Sequence, residues 1–151
     1  MNQRISSLFV LIMLASVMVF GQTAFADKDG IANEGYDVVA YFTQHDAVKG
    51  SATFTAEHND LTYYFSSEEH KTAFVQNPEK YLPAYGGYCA FAMAMQGKSV
   101  PVDPETFKLR DGKLYLFYNG PYQGSNFNTI IPWNENEQEL VAKADANWGG
   151  E

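Results

Sequence analysis

Residues 61–82 read LTYYFSSEEHKTAFVQNPEKYL, and this stretch passes from a strand pattern to a helix pattern without a linker. In Leu61–Phe65 the apolar side chains alternate, a period of two that is typical of a strand with one buried face. Ser66 and Glu69 have the spacing of a capping box, and the following Glu68–Val75 contains no helix breaker. Asn77-Pro78 is expected to end the helix. The stretch therefore predicts a strand followed at once by a short helix.

Two hairpins and a C-terminal helix are predicted around this unit. Residues 52–56 alternate in the same way, and the turn-prone His58-Asn59-Asp60 joins them to the strand at 61–65. Asp111-Gly112 similarly separates Thr106–Arg110 from Leu114–Tyr118. Trp133–Trp148 places apolar residues at helical spacing, and Gly149-Gly150 ends it. The predicted fold is α+β, with a small antiparallel sheet of hairpins packed with short helices and a C-terminal helix.

The first 26 residues have the organisation of a secretory signal peptide. Arg4 gives a positive start, Leu8–Phe20 is apolar, and Ala24-Phe25-Ala26 is a small-residue cleavage signal. The apolar run is shorter than the roughly 20 residues that a membrane-spanning helix needs. We therefore expect residues 1–26 to be removed, and residues 27–151 to form a single exported domain, periplasmic or secreted, without a membrane anchor.

Composition excludes some partners and one means of stabilisation. The chain has a formal net charge of −8, which argues against nucleic acid and anionic membranes as partners. One cysteine cannot form an internal disulfide, so a core built with 11 Phe, 10 Tyr and 2 Trp must hold the fold by packing. The sequence leaves the oligomeric state open, since an exposed Cys89 could also join two copies.

Five segments together resemble the YHS domain, and in particular the exported YHS domain-containing proteins. They are Tyr36–Phe42 (YDVVAYF), Tyr63–Phe74 (YYFSSEEHKTAF), Asn77–Leu82 (NPEKYL), Tyr85–Ala90 (YGGYCA) and Ala142–Trp148 (AKADANW). The resemblance spans nearly all of the predicted mature chain and implies a YHS-like fold. It also implies metal binding, because YHS domains accompany copper-transporting ATPases and other metal-handling proteins. Ala40, Ser66 and His70 stand where the metal-binding versions carry cysteine, so this chain lacks the family's thiolate cage.

Cys89, Met93, Met95 and His70 are the candidate metal ligands. Thiolate and thioether suit Cu(I), and imidazole accepts either oxidation state, so the set favours a copper ion over zinc. Cys89 and Met93 share a face if the segment is helical, whereas an extended segment would bring Met95 to the same side as both. CAFAMAM also reads as a plain apolar core segment.

Asp37 is the second unusual residue, because an acid precedes the apolar run Val38–Phe42. If it is buried, its carboxylate needs hydrogen-bond partners. A structural role such as capping a turn is the simpler interpretation.

Three functions remain open at this level. The first is a non-catalytic accessory that binds copper and serves a metal-handling protein. The second is a thiol-dependent redox or enzyme-like protein with Cys89 as nucleophile, although no C-x-x-C pair, haem attachment motif or phosphate-binding glycine loop accompanies it. The third is a binding module in which an aromatic pocket near Gly86-Gly87 holds a small molecule or peptide and Cys89 only packs.

Overall fold

The computed structural model describes residues 23–149 of the 151-residue chain. Most of the predicted signal peptide, residues 1–22, lies outside the described residues. The regular elements are α1 (Ala40–Thr43), β1 (Ser51–His58), β2 (Leu61–Phe65), α2 (Glu68–Gln76), α3 (Ala90–Gln96), β3 (Asp103–Arg110), β4 (Lys113–Phe117), β5 (Asn119–Tyr122), β6 (Ser125–Asn128), α4 (Ile130–Glu135) and α5 (Glu137–Gly149). The predicted α+β class is confirmed. No helix between residues 23 and 149 is long and apolar enough to cross a membrane.

Three antiparallel hairpins supply all the strands of the described chain, and each forms its own two-stranded sheet. β1 pairs with β2 in the register Ala56↔Tyr63, and β3 pairs with β4 in the register Leu109↔Leu114, as the two predicted turns require. The third hairpin, β5–β6, was not predicted. Its turn has positive φ at Gln123 (49°) and Gly124 (85°), a conformation that glycine favours at its second position.

Helix α2 begins one residue later than the capping box predicted. Ser67, not Ser66, is the N-cap, and its side chain accepts a hydrogen bond from the His70 backbone N–H at 3.2 Å. The helix ends at Gln76, and a 3-10 turn over Pro78–Lys80 follows. The predicted strand-to-helix unit is confirmed, with a correction to its cap.

The C-terminal helix is confirmed as α5, but the continuous helix predicted across Trp133–Trp148 is interrupted. Asn136 leaves the helical region (φ −139°, ψ 39°) and separates α4 from α5. Trp133 and Ala144 are nonetheless both fully buried, and Leu140 is nearly so. The apolar pattern thus identified the buried face correctly and missed the break in the backbone.

The core consists of three adjoining apolar clusters. In the first, Trp133 of α4 packs on Phe117 of β4, with ring centroids 5.3 Å apart. In the second, Tyr63 of β2 packs on Phe74 of α2 at 4.8 Å. The third surrounds Cys89 with residues of α1, α3 and β4. Aromatic packing is therefore the main source of stability in a chain without a disulfide.

Candidate ligand-binding site

Cys89 lies at the start of α3, where it is the N-cap residue, and it is fully buried. Its Sγ accepts a hydrogen bond from the Tyr118 backbone N–H at 3.3 Å and lies 3.4 Å from Thr129 Oγ1. Because the Thr129 hydroxyl donates to the Tyr118 carbonyl at 2.9 Å, the thiol is left to donate to Thr129. The sulfur therefore ties the start of α3 to the segments that flank the third hairpin.

The other candidate ligands lie in different surroundings. Met93 is buried in the cluster around Trp133, whereas Cys89 belongs to the third cluster. Met95 is 54% exposed. His70 has both ring nitrogens engaged, Nδ1 with Asp37 and Nε2 with Thr43. No group of three or more His, Cys, Asp or Glu among residues 23–149 could hold a metal ion, and the copper site stays a prediction.

Cu(I) binding by the thiol is directly testable. We expect Cys89→Ser and the wild type to have the same Cu(I) affinity in a competition titration with a chromogenic chelator, because the sulfur is fully buried and has only an amide and a hydroxyl as polar partners. Met95→Ala, at an exposed thioether, tests a second candidate ligand in the same titration. A weakening of about tenfold or more in Cys89→Ser alone would restore the copper hypothesis. The same burial argues against the nucleophile hypothesis, which needs a reachable thiolate.

Asp37 and His70 form a buried polar network. Asp37 is fully buried, and its Oδ2 accepts hydrogen bonds from Ser66 N–H (2.8 Å), Ser66 Oγ (2.6 Å) and His70 Nδ1 (2.6 Å). Its Oδ1 accepts from the backbone N–H groups of Val39 (2.9 Å) and Ala40 (3.3 Å) at the start of α1. The carboxylate thus caps α1 and joins it to the β2–α2 unit, which is the structural role expected from the sequence.

A cavity of about 410 Å³ lies beside Gly86 and Gly87. The sequence placed a pocket here, and the lining includes Tyr85 and both glycines but not Cys89. Tyr63 and Trp148 provide further aromatic walls. The polar lining consists of Asn33, Asn59, Glu79, Lys113 and Asp145. Cys89 packs in the third core cluster and does not line this cavity.

The backbone before α3 shapes one wall of this cavity. Tyr85, Gly86 and Gly87 all have positive φ (54°, 61° and 86°), the left-handed region that glycine adopts without strain. A Cβ on Gly86 would lie 3.0 Å from Ala24 Cα and 3.1 Å from the Trp148 ring. The glycine therefore lets the N-terminal segment and the indole approach the same point.

Two tyrosines of the wall stay neutral across the physiological pH range. Burial raises the pKa of Tyr63 to about 12, and the charge of Glu79 acts in the same direction. Burial also raises the pKa of Tyr85 well above its ordinary value, and its hydrogen bond to Asp145 Oδ1 at 2.9 Å adds to the effect. Tyr85 is thus a fixed donor that orients the Asp145 carboxylate.

Asn33, one of the residues that line this cavity, carries an unsatisfied acceptor. It is 3% exposed, and its Nδ2 lies 3.4 Å from the Tyr36 carbonyl oxygen and 3.3 Å from the Tyr41 hydroxyl. A carbonyl oxygen can only accept, so this contact fixes which end of the amide is the NH₂ group. Asn33 Oδ1 then has no hydrogen-bond partner within the described chain. An unpaired buried acceptor costs about 1–3 kcal/mol.

The segment that precedes the predicted cleavage point packs against the same wall. The Phe25 backbone N–H donates to the Gly86 carbonyl oxygen at 2.7 Å, and its ring centroid lies 5.6 Å from that of Tyr88. Ala26 pairs with Ala32 in an antiparallel bridge. Ala24 and Phe25 consequently form part of the cavity lining.

No protein family, curated protein or solved structure was found to match this chain. The resemblance to the YHS domain accordingly stays a prediction. Sequence reasoning located the pocket through Gly86-Gly87 and Tyr85, but it did not single out Asn33, Glu79, Asp145 or Trp148. These residues come from distant parts of the chain, and none carries a local motif that marks it as a ligand contact.

Proposed function

We propose that this protein is an exported, non-catalytic binding module whose cavity beside Gly86-Gly87 takes a small organic amine with an aromatic ring. The observation that carries the proposal is an unpartnered, buried acceptor, Asn33 Oδ1, on a residue that lines an aromatic-walled cavity of about 410 Å³. That volume falls in the range of about 300–1,000 Å³ that is usual for small-molecule sites. Apolar walls with a few polar groups are the usual composition of such sites.

The charges of the lining favour a cationic ligand. The lining contains two carboxylate residues, Glu79 and Asp145, and one ammonium residue, Lys113. Tyr63, Tyr85 and Trp148 add ring faces that attract a cation as well as a flat apolar body. An ammonium group also brings the N–H donors that Asn33 Oδ1 requires.

Export is part of the proposal and is supported by the sequence of the first 26 residues, with Arg4, the apolar run Leu8–Phe20 and the Ala24-Phe25-Ala26 signal. The acidic net charge of −8 is compatible with an amine as ligand and unfavourable for a nucleic acid.

Titration of the ¹⁵N-labelled full chain with 2-phenylethylamine and tyramine tests the proposal. We expect amide shifts at the cavity residues and a Kd on the order of 0.1–1 mM, as is usual for ligands of this size. 2-Phenylethanol, which keeps the ring and lacks the charge, is expected to bind at least about fivefold more weakly.

The charge contribution has its own control. Replacing both Glu79 and Asp145 by the corresponding amides should weaken amine binding and leave binding of the alcohol unchanged. Glu69→Gln on α2, an exposed carboxylate outside the cavity lining, should change neither. Absence of shifts at the cavity with all three probes, or equal affinity for amine and alcohol, would contradict the proposal.

A further inference from the structure

The strip Gly86–Tyr88 is engaged by Phe25 in the way that an extended peptide is bound. The Phe25 N–H bonds the Gly86 carbonyl at 2.7 Å, and its ring packs on Tyr88. One residue further on, Ala26 pairs antiparallel with Ala32, and the Asp27 N–H bonds the Ile31 carbonyl at 3.0 Å. Backbone pairing combined with one side-chain pocket is a recurrent mode of peptide recognition.

The close approach of the N-terminal segment depends on the glycine of the strip. A Cβ at position 86 would lie 3.0 Å from the Ala24 Cα. The segment that occupies the strip, Ala24-Phe25-Ala26, has the pattern small-aromatic-small.

We infer that the strip Gly86–Tyr88 is a docking site for an extended peptide of another polypeptide with the pattern small-aromatic-small, and that Phe25 holds this site within the chain. The inference rests on the proposed role of the adjoining cavity as a binding site. Cleavage after Ala26 would remove Ala24 and Phe25 and leave the Gly86 carbonyl, the Tyr88 ring and one side of the cavity to an external segment.

While Phe25 occupies the strip, it competes with any external peptide for the same contacts. A segment of the same chain that is held beside the site has an effective concentration on the order of millimolar. An external peptide of similar affinity is therefore excluded while Phe25 is in place.

The test uses the full chain and the blocked peptide Thr-Ala-Phe-Ala-Asp, which copies residues 23–27. We expect the Phe25→Ala variant to bind this peptide at least about tenfold more tightly than the wild type does, measured by fluorescence anisotropy of the labelled peptide. The same peptide with alanine in place of phenylalanine should not bind. Adding Gly86→Ala to Phe25→Ala should abolish binding, because a side chain at φ 61° and 3.0 Å from the docked backbone closes the strip.

Two further measurements keep the result decisive. Thermal unfolding of each variant shows whether it is folded. Adding Tyr88→Leu to Phe25→Ala removes the ring that packs on the peptide phenylalanine but does not close the strip as Gly86→Ala does, so it should weaken peptide binding. Equal binding to wild type and Phe25→Ala, or binding to neither folded protein, would overturn the inference. If only the amine titration fails, the proposed ligand is wrong and peptide docking is unaffected. If only the peptide fails to bind, peptide docking is wrong and the amine site is unaffected.

Discussion

Asp37→Asn is expected to lower the free energy of unfolding by about 3–5 kcal/mol, because a fully buried carboxylate with several hydrogen-bond donors loses one acceptor oxygen. The fully buried carboxylate accepts five hydrogen bonds, from Val39 N–H, Ala40 N–H, Ser66 N–H, Ser66 Oγ and His70 Nδ1. An amide replaces one acceptor oxygen by an NH₂ group, which must then face donors at one end. Since a small domain is stable by only about 5–15 kcal/mol, the variant should be close to unfolding.

Urea unfolding followed by tryptophan fluorescence measures this loss. Asp46→Asn is the matched control, because Asp46 is exposed and its Oδ1 accepts only from the neighbouring Ala47 N–H, at 2.9 Å. That substitution should change stability by no more than about 0.5 kcal/mol. His70→Ala should cost less than Asp37→Asn, since the carboxylate keeps its four other donors. A midpoint for Asp37→Asn equal to that of Asp46→Asn would show that the network does not hold α1 to the β2–α2 unit.

The need of Asp37 for partners was predictable, but the partners were not. An acid beside an apolar run must be satisfied once it is buried, and that follows from the sequence. Ser66 and His70, however, lie 29 and 33 residues away along the chain. Nothing local marks them, and Ser66 was instead read as the cap of α2. Its hydroxyl bonds Asp37, and the cap falls to Ser67.

Local periodicity accounts for most of what the sequence predicted well. The strand alternation before residue 65 and the uninterrupted Glu68–Val75 are properties of short windows, and β2 and α2 follow them. The break at Asn136 lies inside a window whose apolar spacing continues across it. The apolar spacing reports only which positions are buried, so it does not detect the single non-helical residue Asn136 between α4 and α5. It therefore predicted one continuous helix.

Cys89 and Met93 belong to different core clusters, and the position of Cys89 at the helix terminus gives a geometric reason. Residues four apart share a helical face only when both are in the helix. Cys89 is the N-cap, with φ −57° and ψ 114°, so its side chain leaves the direction that the helix gives to Met93. The sulfur turns towards Tyr118 and Thr129, whereas the thioether packs near Trp133. The cavity, by contrast, lies beside the two consecutive glycines at which the sequence suggested a pocket, because the bend that they permit is a local feature of the chain.

Gly50→Ala is expected to be the second severe substitution, with a loss of at least about 3 kcal/mol, the upper end of the usual cost of overpacking. Gly50 precedes β1, and its N–H donates to the Gly35 carbonyl at 2.8 Å. A Cβ at this position would lie 2.4 Å from the carbonyl carbon of Tyr64, 2.6 Å from its oxygen and 2.7 Å from the Phe65 nitrogen. These are backbone atoms of β2, and they cannot move away from the added Cβ by a change of rotamer as side-chain atoms could.

Relief of this overlap requires β1 and β2 to separate at the end where β2 leads into α2, so the damage should spread to the packing of Phe65 on Phe74, whose ring centroids lie 5.2 Å apart. Gly149→Ala is the control, because a methyl group there meets nothing within 4 Å at the end of α5. Helix propensity favours alanine, so the control should be neutral or up to about 1 kcal/mol more stable. Thermal unfolding by circular dichroism compares the two. Equal midpoints would mean that the β1–β2 hairpin can open without cost, contrary to the close backbone approach that only glycine permits at position 50.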